Sequence, residues 1–133
     1  MSALLDSSFL IDLLRGLSAA RELAEELDAS GEPAFIPAPA LCEVRTGLLH
    51  RMSGAQAARF TAMLRSFTIV ALDAAAAEKA AEIQADALAA GTAHGDVDAM
   101  IAGIAIVKGH ALVTRDRRLV ATSKRFGFEV RAY

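Results

Sequence analysis

Four acidic residues stand at places in the sequence where a carboxylate is costly. Asp6 directly follows the apolar run ALL, and Asp116 comes shortly after ALVT. Glu43 lies inside PALCEVRTGLL, and Asp98 leads directly into AMIAGIAIV. Burying an unpaired carboxylate costs several kcal/mol, so apolar segments like these rarely carry one without compensation. Where only oxygen ligands are on offer, a hard divalent cation such as Mg2+ or Mn2+ is the usual compensation. The four acids therefore indicate a metal-dependent phosphodiesterase site.

The order of the predicted elements explains how acids so far apart in the chain could meet. Strand-like runs alternate with helical patterns throughout, which predicts a parallel sheet with helices on both faces. The β-rich run FTIVAL is predicted to be a central strand of that sheet. Sites in such sheets form at the carboxyl ends of strands, where Asp6 and Asp116 lie. No linker or repeat interrupts the pattern, so we expect a single domain over residues 1–133.

Each acid also has a simpler, structural interpretation. Asp6 could act as the N-cap of the following helix, a role that is compatible with metal binding. Glu43 could be a solvated helix position, although it lies close to the apolar stripe of its helix. Asp96 competes with Asp98 for the third position, because one of the two must cap the helix that follows. Asp116 could instead initiate a turn. Because apolar segments adjoin them, we prefer the functional interpretation, a place in the metal site, for Asp6, Glu43, Asp98 and Asp116.

A group of basic residues surrounds the last acid in the sequence: Arg115, Arg117, Arg118, Lys124 and Arg125. The simpler interpretation is an ordinary solvated helix face. The alternative is that Arg115 or Arg117 contacts a phosphate near the metal, because the planar guanidinium can bind phosphate with two parallel hydrogen bonds.

Other reactive side chains have simpler interpretations. Asp12 is predicted to be a helix-face charge, and Asp73 to be an N-cap. His94, in the loop GTAHG, could touch a substrate but fits an ordinary loop residue better. The single Cys42 lies in an apolar run and is predicted to be a small core residue rather than a nucleophile. One cysteine excludes a disulfide framework and is consistent with a reducing cytoplasm.

Composition and charge narrow the classes of protein further. Apolar residues make up 54% of the 133 residues and charged residues 23%, which is typical of a compact protein and excludes disorder. The formal net charge of -2 gives no overall basic field for nucleic acid, so a bound cation would have to supply positive charge locally. No signal peptide is apparent, and AMIAGIAIV is far shorter than the roughly 20 residues that span a bilayer. We therefore expect a cytoplasmic protein with no membrane partner.

At this point the motifs match a known family. The chain resembles a PIN-domain ribonuclease, and in particular the VapC-type toxin of VapBC toxin–antitoxin systems. The likeness rests on LLDSS before an aliphatic helix, the Glu of PALCEVRTGL, the helix start DAMIAGIA and the strand end LVTRD. Each string alone is weak, but their order and spacing cover nearly the whole chain. The resemblance implies an α/β/α sandwich with a mostly parallel central sheet.

The resemblance also implies an activity and a set of site residues. The family cleaves RNA with Mg2+ or Mn2+, and its catalytic acids fall on Asp6, Glu43, Asp98 and Asp116. The metal would be held by Asp6, Asp98 and Asp116, with Ser8 and Thr114 as supporting hydroxyls. A further acid that often follows the last one is replaced here by Arg117 and Arg118, which argues against a second tightly held metal. The implied partners are an RNA substrate, a VapB-type antitoxin and a second copy of the chain in a homodimer.

Three rival functions are weaker. A haloacid-dehalogenase phosphatase needs a second Asp two residues after the first, where this chain has Ser8. A receiver-type signalling domain needs an early acidic pair and a late Lys after a strand, and the sequence has neither. A PIN-like scaffold without catalytic activity is disfavoured because all four acids are in place.

Overall fold

The computed structural model describes residues 2–93 and 95–133. In this part of the chain five short strands form one sheet in the order β3-β2-β1-β4-β5, and each pairing between neighbours is parallel. The strands are β1 (Ala3–Leu5), β2 (Ala34–Pro37), β3 (Thr68–Val70), β4 (Ala111–Val113) and β5 (Val130–Arg131).

Helices connect the strands: α1 (Ser7–Leu14), α2 (Ser18–Ser30), α3 (Ala38–Arg51), α4 (Gly54–Leu64), α5 (Ala74–Ala89), α6 (Asp96–Lys108) and α7 (Arg117–Phe126). The predicted three-layer α/β/α sandwich is thereby confirmed. Among the described residues, none of the helices has the length and apolar character that crossing a membrane requires.

The first strand lies at the centre of the sheet because it is apolar on both faces. All three residues of β1 are fully buried, as are Leu112 and Val113 of the neighbouring β4. Such continuous apolar runs are typical of parallel strands that are covered by helices on both sides. β1 pairs with β2 on one side and with β4 on the other, so the residues that follow β1 and β4 meet at one edge of the sheet.

Two expectations from the sequence are wrong. The run FTIVAL forms β3, which lies at the edge of the sheet, and Ile69 there is 40% exposed. Cys42 is exposed rather than in the core. The buried side chains of α3 include Ala40, Val44 and Leu48, spaced four residues apart, so a residue midway between two of them faces away from the core.

The helices α5 and α6 approach each other unusually closely. A Cβ atom added at Gly103 of α6 would lie 2.5 Å from the carbonyl oxygen of Ala76 and 3.0 Å from the backbone nitrogen of Ala80. The small residues on both helices therefore permit contact between backbones. This packing holds α6, whose first turn carries Asp98, against the body of the protein.

Candidate active site

The four acids predicted from the sequence line one pocket at the carboxyl edge of the sheet. The pocket has a volume of about 320 Å3 and is lined by Asp6, Ser7, Ser8, Ile11, Arg15, Glu43, Asp98, Arg115 and Asp116. A larger cavity of about 440 Å3 lies elsewhere, between α2 and the strands β2 and β3. We assign the site to the smaller pocket, because carboxylates from four separate elements converge there.

Asp6 is the most buried and the most firmly held of these acids. Its side chain is 3% exposed and acts as the N-cap of α1, because Oδ1 accepts a hydrogen bond from the Phe9 backbone N–H at 2.8 Å. The Ser8 hydroxyl lies 2.8 and 2.9 Å from the two carboxylate oxygens, and the Thr114 hydroxyl donates a short hydrogen bond to Oδ2. Capping and a place in the pocket are thus combined in one residue.

The environment of Asp6 disfavours its charged form. Burial raises the pKa of this carboxyl above its ordinary value, and the negative charge of Asp98 raises it further. The hydrogen bonds from Thr114, Phe9 and Ser8 lower the pKa but do not cancel the effect of burial. A buried carboxylate with a raised pKa beside a second acid is the kind of group that a bound cation stabilises.

Thr114 links the first acid to the last one. Besides donating to Asp6, its hydroxyl oxygen accepts a hydrogen bond from the Asp116 backbone N–H at 3.0 Å. Asp116 itself caps α7, since its Oδ1 accepts from the backbone N–H of Arg118 at 2.9 Å. Thr114 is fully buried, so this connection between the ends of β1 and β4 is shielded from water.

The other two acids come from helices. Glu43 lies on an exposed part of α3 and reaches the pocket from that side. Asp98, in the first turn of α6, lines the pocket as well. Asp96, the competing acid, accepts a hydrogen bond from Gln84 at 3.2 Å and lines a separate cavity with Ala77 and Met100.

The two arginines that flank Asp116 in the sequence lie in different environments. Arg115 lines the pocket, whereas Arg117 is exposed and is not among the residues that line it. Asp73 caps α5 as predicted, accepting from the Ala76 N–H at 2.9 Å. His94 lies outside the described residues.

Asp12 is a site feature that the sequence did not reveal. The expectation of a solvated helix-face charge is wrong, because its side chain is buried and accepts hydrogen bonds from Arg115 and Tyr133. These partners lie 103 and 121 residues further along the chain, so no local pattern could have indicated them.

The acids fit a hard cation that keeps part of its water shell. Among residues 2–93 and 95–133, no group of three or more His, Cys, Asp or Glu side chains is close enough to hold a metal ion. Mg2+ in particular does not need such a group, because it is usually held by one or two carboxylates, several waters and the phosphate of its substrate. Carboxylates across an open pocket meet that requirement, and Asp6 is already oriented for it.

The fold and the pocket together define a class: α/β/α proteins with an acidic pocket at the carboxyl edge of a parallel sheet. A sequence model of the PIN domain matches residues 3–125. Since this match covers most of the chain, the protein belongs to the PIN domain family. No curated protein sequence matches significantly.

Solved structures support the same fold. VapBC2 from Rickettsia felis, bound to a promoter DNA fragment, aligns with a TM-score of 0.83 and 19% identity, covering 100% of this chain and 99% of that one. A toxin–antitoxin complex from Klebsiella pneumoniae is 26% identical, with a TM-score of 0.73 and coverages of 90% and 91%. VapC20 from Mycobacterium tuberculosis, a toxin that cleaves the sarcin–ricin loop, is 24% identical, with a TM-score of 0.71 and coverages of 96% and 96%.

Proposed function

We propose that this protein is a metal-dependent endoribonuclease that acts in the cytoplasm as the toxin of a toxin–antitoxin pair. One observation carries the proposal: two acids that follow β1 and β4 and two acids on α3 and α6 line a single pocket. Membership in the PIN family and the likeness to VapC20, which cleaves RNA, support the same activity.

Asp6, Asp98 and Asp116 would hold one Mg2+ or Mn2+ ion, partly through waters bound to the ion, and Glu43 would complete the catalytic acids. When bound, such an ion would polarise the scissile phosphate and lower the pKa of a water molecule, which is the chemistry that phosphodiester hydrolysis requires. Ser8 and Thr114 keep the Asp6 carboxylate in one orientation through their hydrogen bonds. Arg115, at the edge of the pocket, would bind a phosphate oxygen of the RNA, and the exposed Arg117 would add to the attraction for the backbone.

The proposed partners follow from the same likeness. Among the matching structures, the one from Klebsiella pneumoniae is a toxin–antitoxin complex, and VapBC-5 from Mycobacterium tuberculosis is a member of the VapBC family of toxin–antitoxin systems. A VapB-type antitoxin would place a cationic side chain among the acids of the pocket, and so compete with the metal. We also propose a homodimer, because Leu49 and Met52 at the end of α3 are 67% and 88% exposed.

The central test compares four Asp→Asn variants, three of which change an N-cap residue. Asp6→Asn and Asp116→Asn remove a charge from the pocket, yet Asn serves as an N-cap about as well as Asp. Asp73→Asn makes the same change at the cap of α5, outside the pocket. We expect the first two, and Asp98→Asn, to abolish the Mn2+-dependent cleavage of total RNA, and Asp73→Asn to retain it.

The rival functions predict different results. Full activity of the wild type in excess chelator would contradict metal catalysis. An inactive scaffold would bind no Mn2+ in a calorimetric titration, and a phosphatase would hydrolyse a small phosphomonoester while leaving RNA intact.

A further inference from the structure

A buried carboxylate next to the pocket has no part in the mechanism above. Asp12 lies on α1 with 4% of its surface exposed. Arg115 donates to it through two nitrogens, with Nε 2.5 Å from Oδ2 and Nη2 3.2 Å from Oδ1. The Tyr133 hydroxyl donates to the same Oδ2 at 2.7 Å. Three hydrogen bonds therefore satisfy a charge that would otherwise be costly to bury.

The partner of this carboxylate faces the acidic pocket. Just over half of the Arg115 side chain is exposed, at 53%, and it lines the pocket together with Asp6 and Asp98. Asp12 engages one side of the guanidinium, so the remaining N–H groups lie on its outer side. The Arg115 guanidinium is already fixed by Asp12, so binding a phosphate would require little further ordering of the side chain.

Tyr133 contacts both Asp12, which holds Arg115, and Phe9, whose backbone holds Asp6. Its ring packs edge-on against Phe9, with centroids 5.1 Å apart and an interplanar angle of 84°. The backbone N–H of Phe9 is also the one that caps Asp6. Burial and the hydrogen bond to Asp12 raise the pKa of the Tyr133 phenol, so its hydroxyl remains a donor at neutral pH. The helix α1 thus fixes both Asp6 and the support of Arg115.

A second arginine–carboxylate pair shows what an ordinary surface contact looks like in this protein. Arg125 of α7 binds Asp86 of α5 at 2.6 Å, but 69% and 31% of these side chains are exposed, and neither lines the acidic pocket. Asp12, in contrast, is 6% exposed in its side chain and has a second donor in Tyr133.

We propose that Asp12 and Tyr133 are positioning residues, which hold Arg115 at the edge of the pocket so that it binds a non-bridging phosphate oxygen of the RNA. This inference rests on the proposed ribonuclease function. Asp12 and Tyr133 do not touch the RNA themselves; they act through Arg115.

The first test measures RNA affinity without catalysis. Binding of a short fluorescein-labelled single-stranded RNA is followed by fluorescence anisotropy in the presence of chelator. Arg115→Lys keeps the charge but loses the fork, and we expect it to weaken binding about tenfold. Arg125→Lys is the matched control and should leave the affinity unchanged. Equal affinities for Arg115→Lys and the wild type would overturn the proposal.

The second test asks whether Tyr133 acts through Arg115. Tyr133→Phe removes the hydroxyl and keeps the ring contact with Phe9, and the loss of one hydrogen bond should weaken RNA binding about fivefold. In the Arg115→Lys background the same change should have almost no effect, because residues that act as a unit are not additive. A fivefold loss in both backgrounds, or in neither, would overturn the positioning role.

Asp12→Asn provides an independent variant if Tyr133→Phe does not fold. Asp12→Asn retains the shape of the side chain and should weaken RNA binding on its own. In the Arg115→Lys background it should cause no further loss of RNA affinity. A melting curve by circular dichroism identifies which variants are folded. An additive loss in the Asp12→Asn and Arg115→Lys double variant would overturn the positioning role.

Cleavage assays separate this inference from the proposed function. With Mn2+, Tyr133→Phe should raise KM for RNA about fivefold and leave the Mn2+ concentration for half-maximal activity unchanged. A shift in that Mn2+ concentration would mean that Tyr133 acts on Asp6 instead, and would overturn the inference. If the wild type binds RNA but never cleaves it, the ribonuclease function fails, while the binding comparison still decides the role of Arg115. A wild type that neither binds RNA in chelator nor cleaves it with Mn2+ overturns both.

Discussion

At the scale of single residues, Asp6 combines roles that are usually separate. It caps a helix, accepts hydrogen bonds from two hydroxyls and lines the acidic pocket. The cap and the hydroxyls stabilise its ionised form, whereas burial and Asp98 oppose it, and burial has the larger effect. The residue is thus held in place by contacts that only partly compensate its charge.

This imbalance predicts that Asp6 makes stability depend on pH. The folded-state pKa is raised above the ordinary value of 3.8, so the folded protein binds more protons than the unfolded chain between the two values. In the absence of metal, the contribution of Asp6 to the free energy of unfolding should fall as pH rises from about 3.8 and level off above the folded-state pKa.

Urea unfolding at a series of pH values checks this prediction. Asp6→Asn lacks the titrating group, so the stability of the wild type relative to this variant should decrease as pH rises through the same interval. Chelator must be present throughout. Parallel pH profiles for the two proteins would contradict the prediction.

At the scale of elements, the sequence indicated the alternation of strands and helices but not their neighbours in space. Thr, Ile and Val favour any strand, so the composition of FTIVAL could not distinguish the edge position of β3 from a central one. The neighbouring residues of Asp6 and Asp116 indicated that these acids follow strands, and those of Asp98 indicated the start of a helix. The pairing of Asp12 with Arg115 could not be predicted, because it depends on how α1 meets the segment after β4.

The close contact between α5 and α6 predicts that Gly103 tolerates no side chain. Gly103→Ala should destabilise the protein by about 1–3 kcal/mol, because the new methyl group overlaps backbone atoms of α5. Gly47→Ala is the matched control in another helix, since its Cβ would meet only the flexible Arg51 side chain, at 3.5 Å or more. This control should stabilise the protein by up to about 1 kcal/mol. Urea unfolding of both variants measures the difference, and equal stabilities would mean that the two helices can separate freely.

At the scale of the whole molecule, metal binding should stabilise the fold. A ligand that binds only the folded state adds about 2.7 kcal/mol at a free concentration of 100 times its dissociation constant. Thermal melts of the wild type with Mn2+ should therefore shift upwards, and those of Asp98→Asn should not. An equal shift in both proteins would place the ion elsewhere.

The proposed dimer gives a second prediction at this scale. Light scattering at micromolar concentration should return twice the mass of the 14.0 kDa chain. Leu49→Glu introduces a charge at the exposed end of α3 and should produce a monomer. Leu88→Glu, at a residue of α5 that is 64% exposed, should leave the dimer intact. A monomeric wild type would exclude this interface.

The central position of β1 in the sheet determines when, during synthesis of the chain, the acidic pocket becomes complete. β1 is synthesised well before β4, the strand with which it pairs, and the hydrogen bond between Asp6 and Thr114 joins residues 108 positions apart. Parallel pairing of distant segments is slow to form. A nascent chain therefore carries Asp6 long before the other wall of the pocket exists. We expect the proposed ribonuclease activity to appear only after the segment up to Asp116 has been synthesised and β4 has paired with β1.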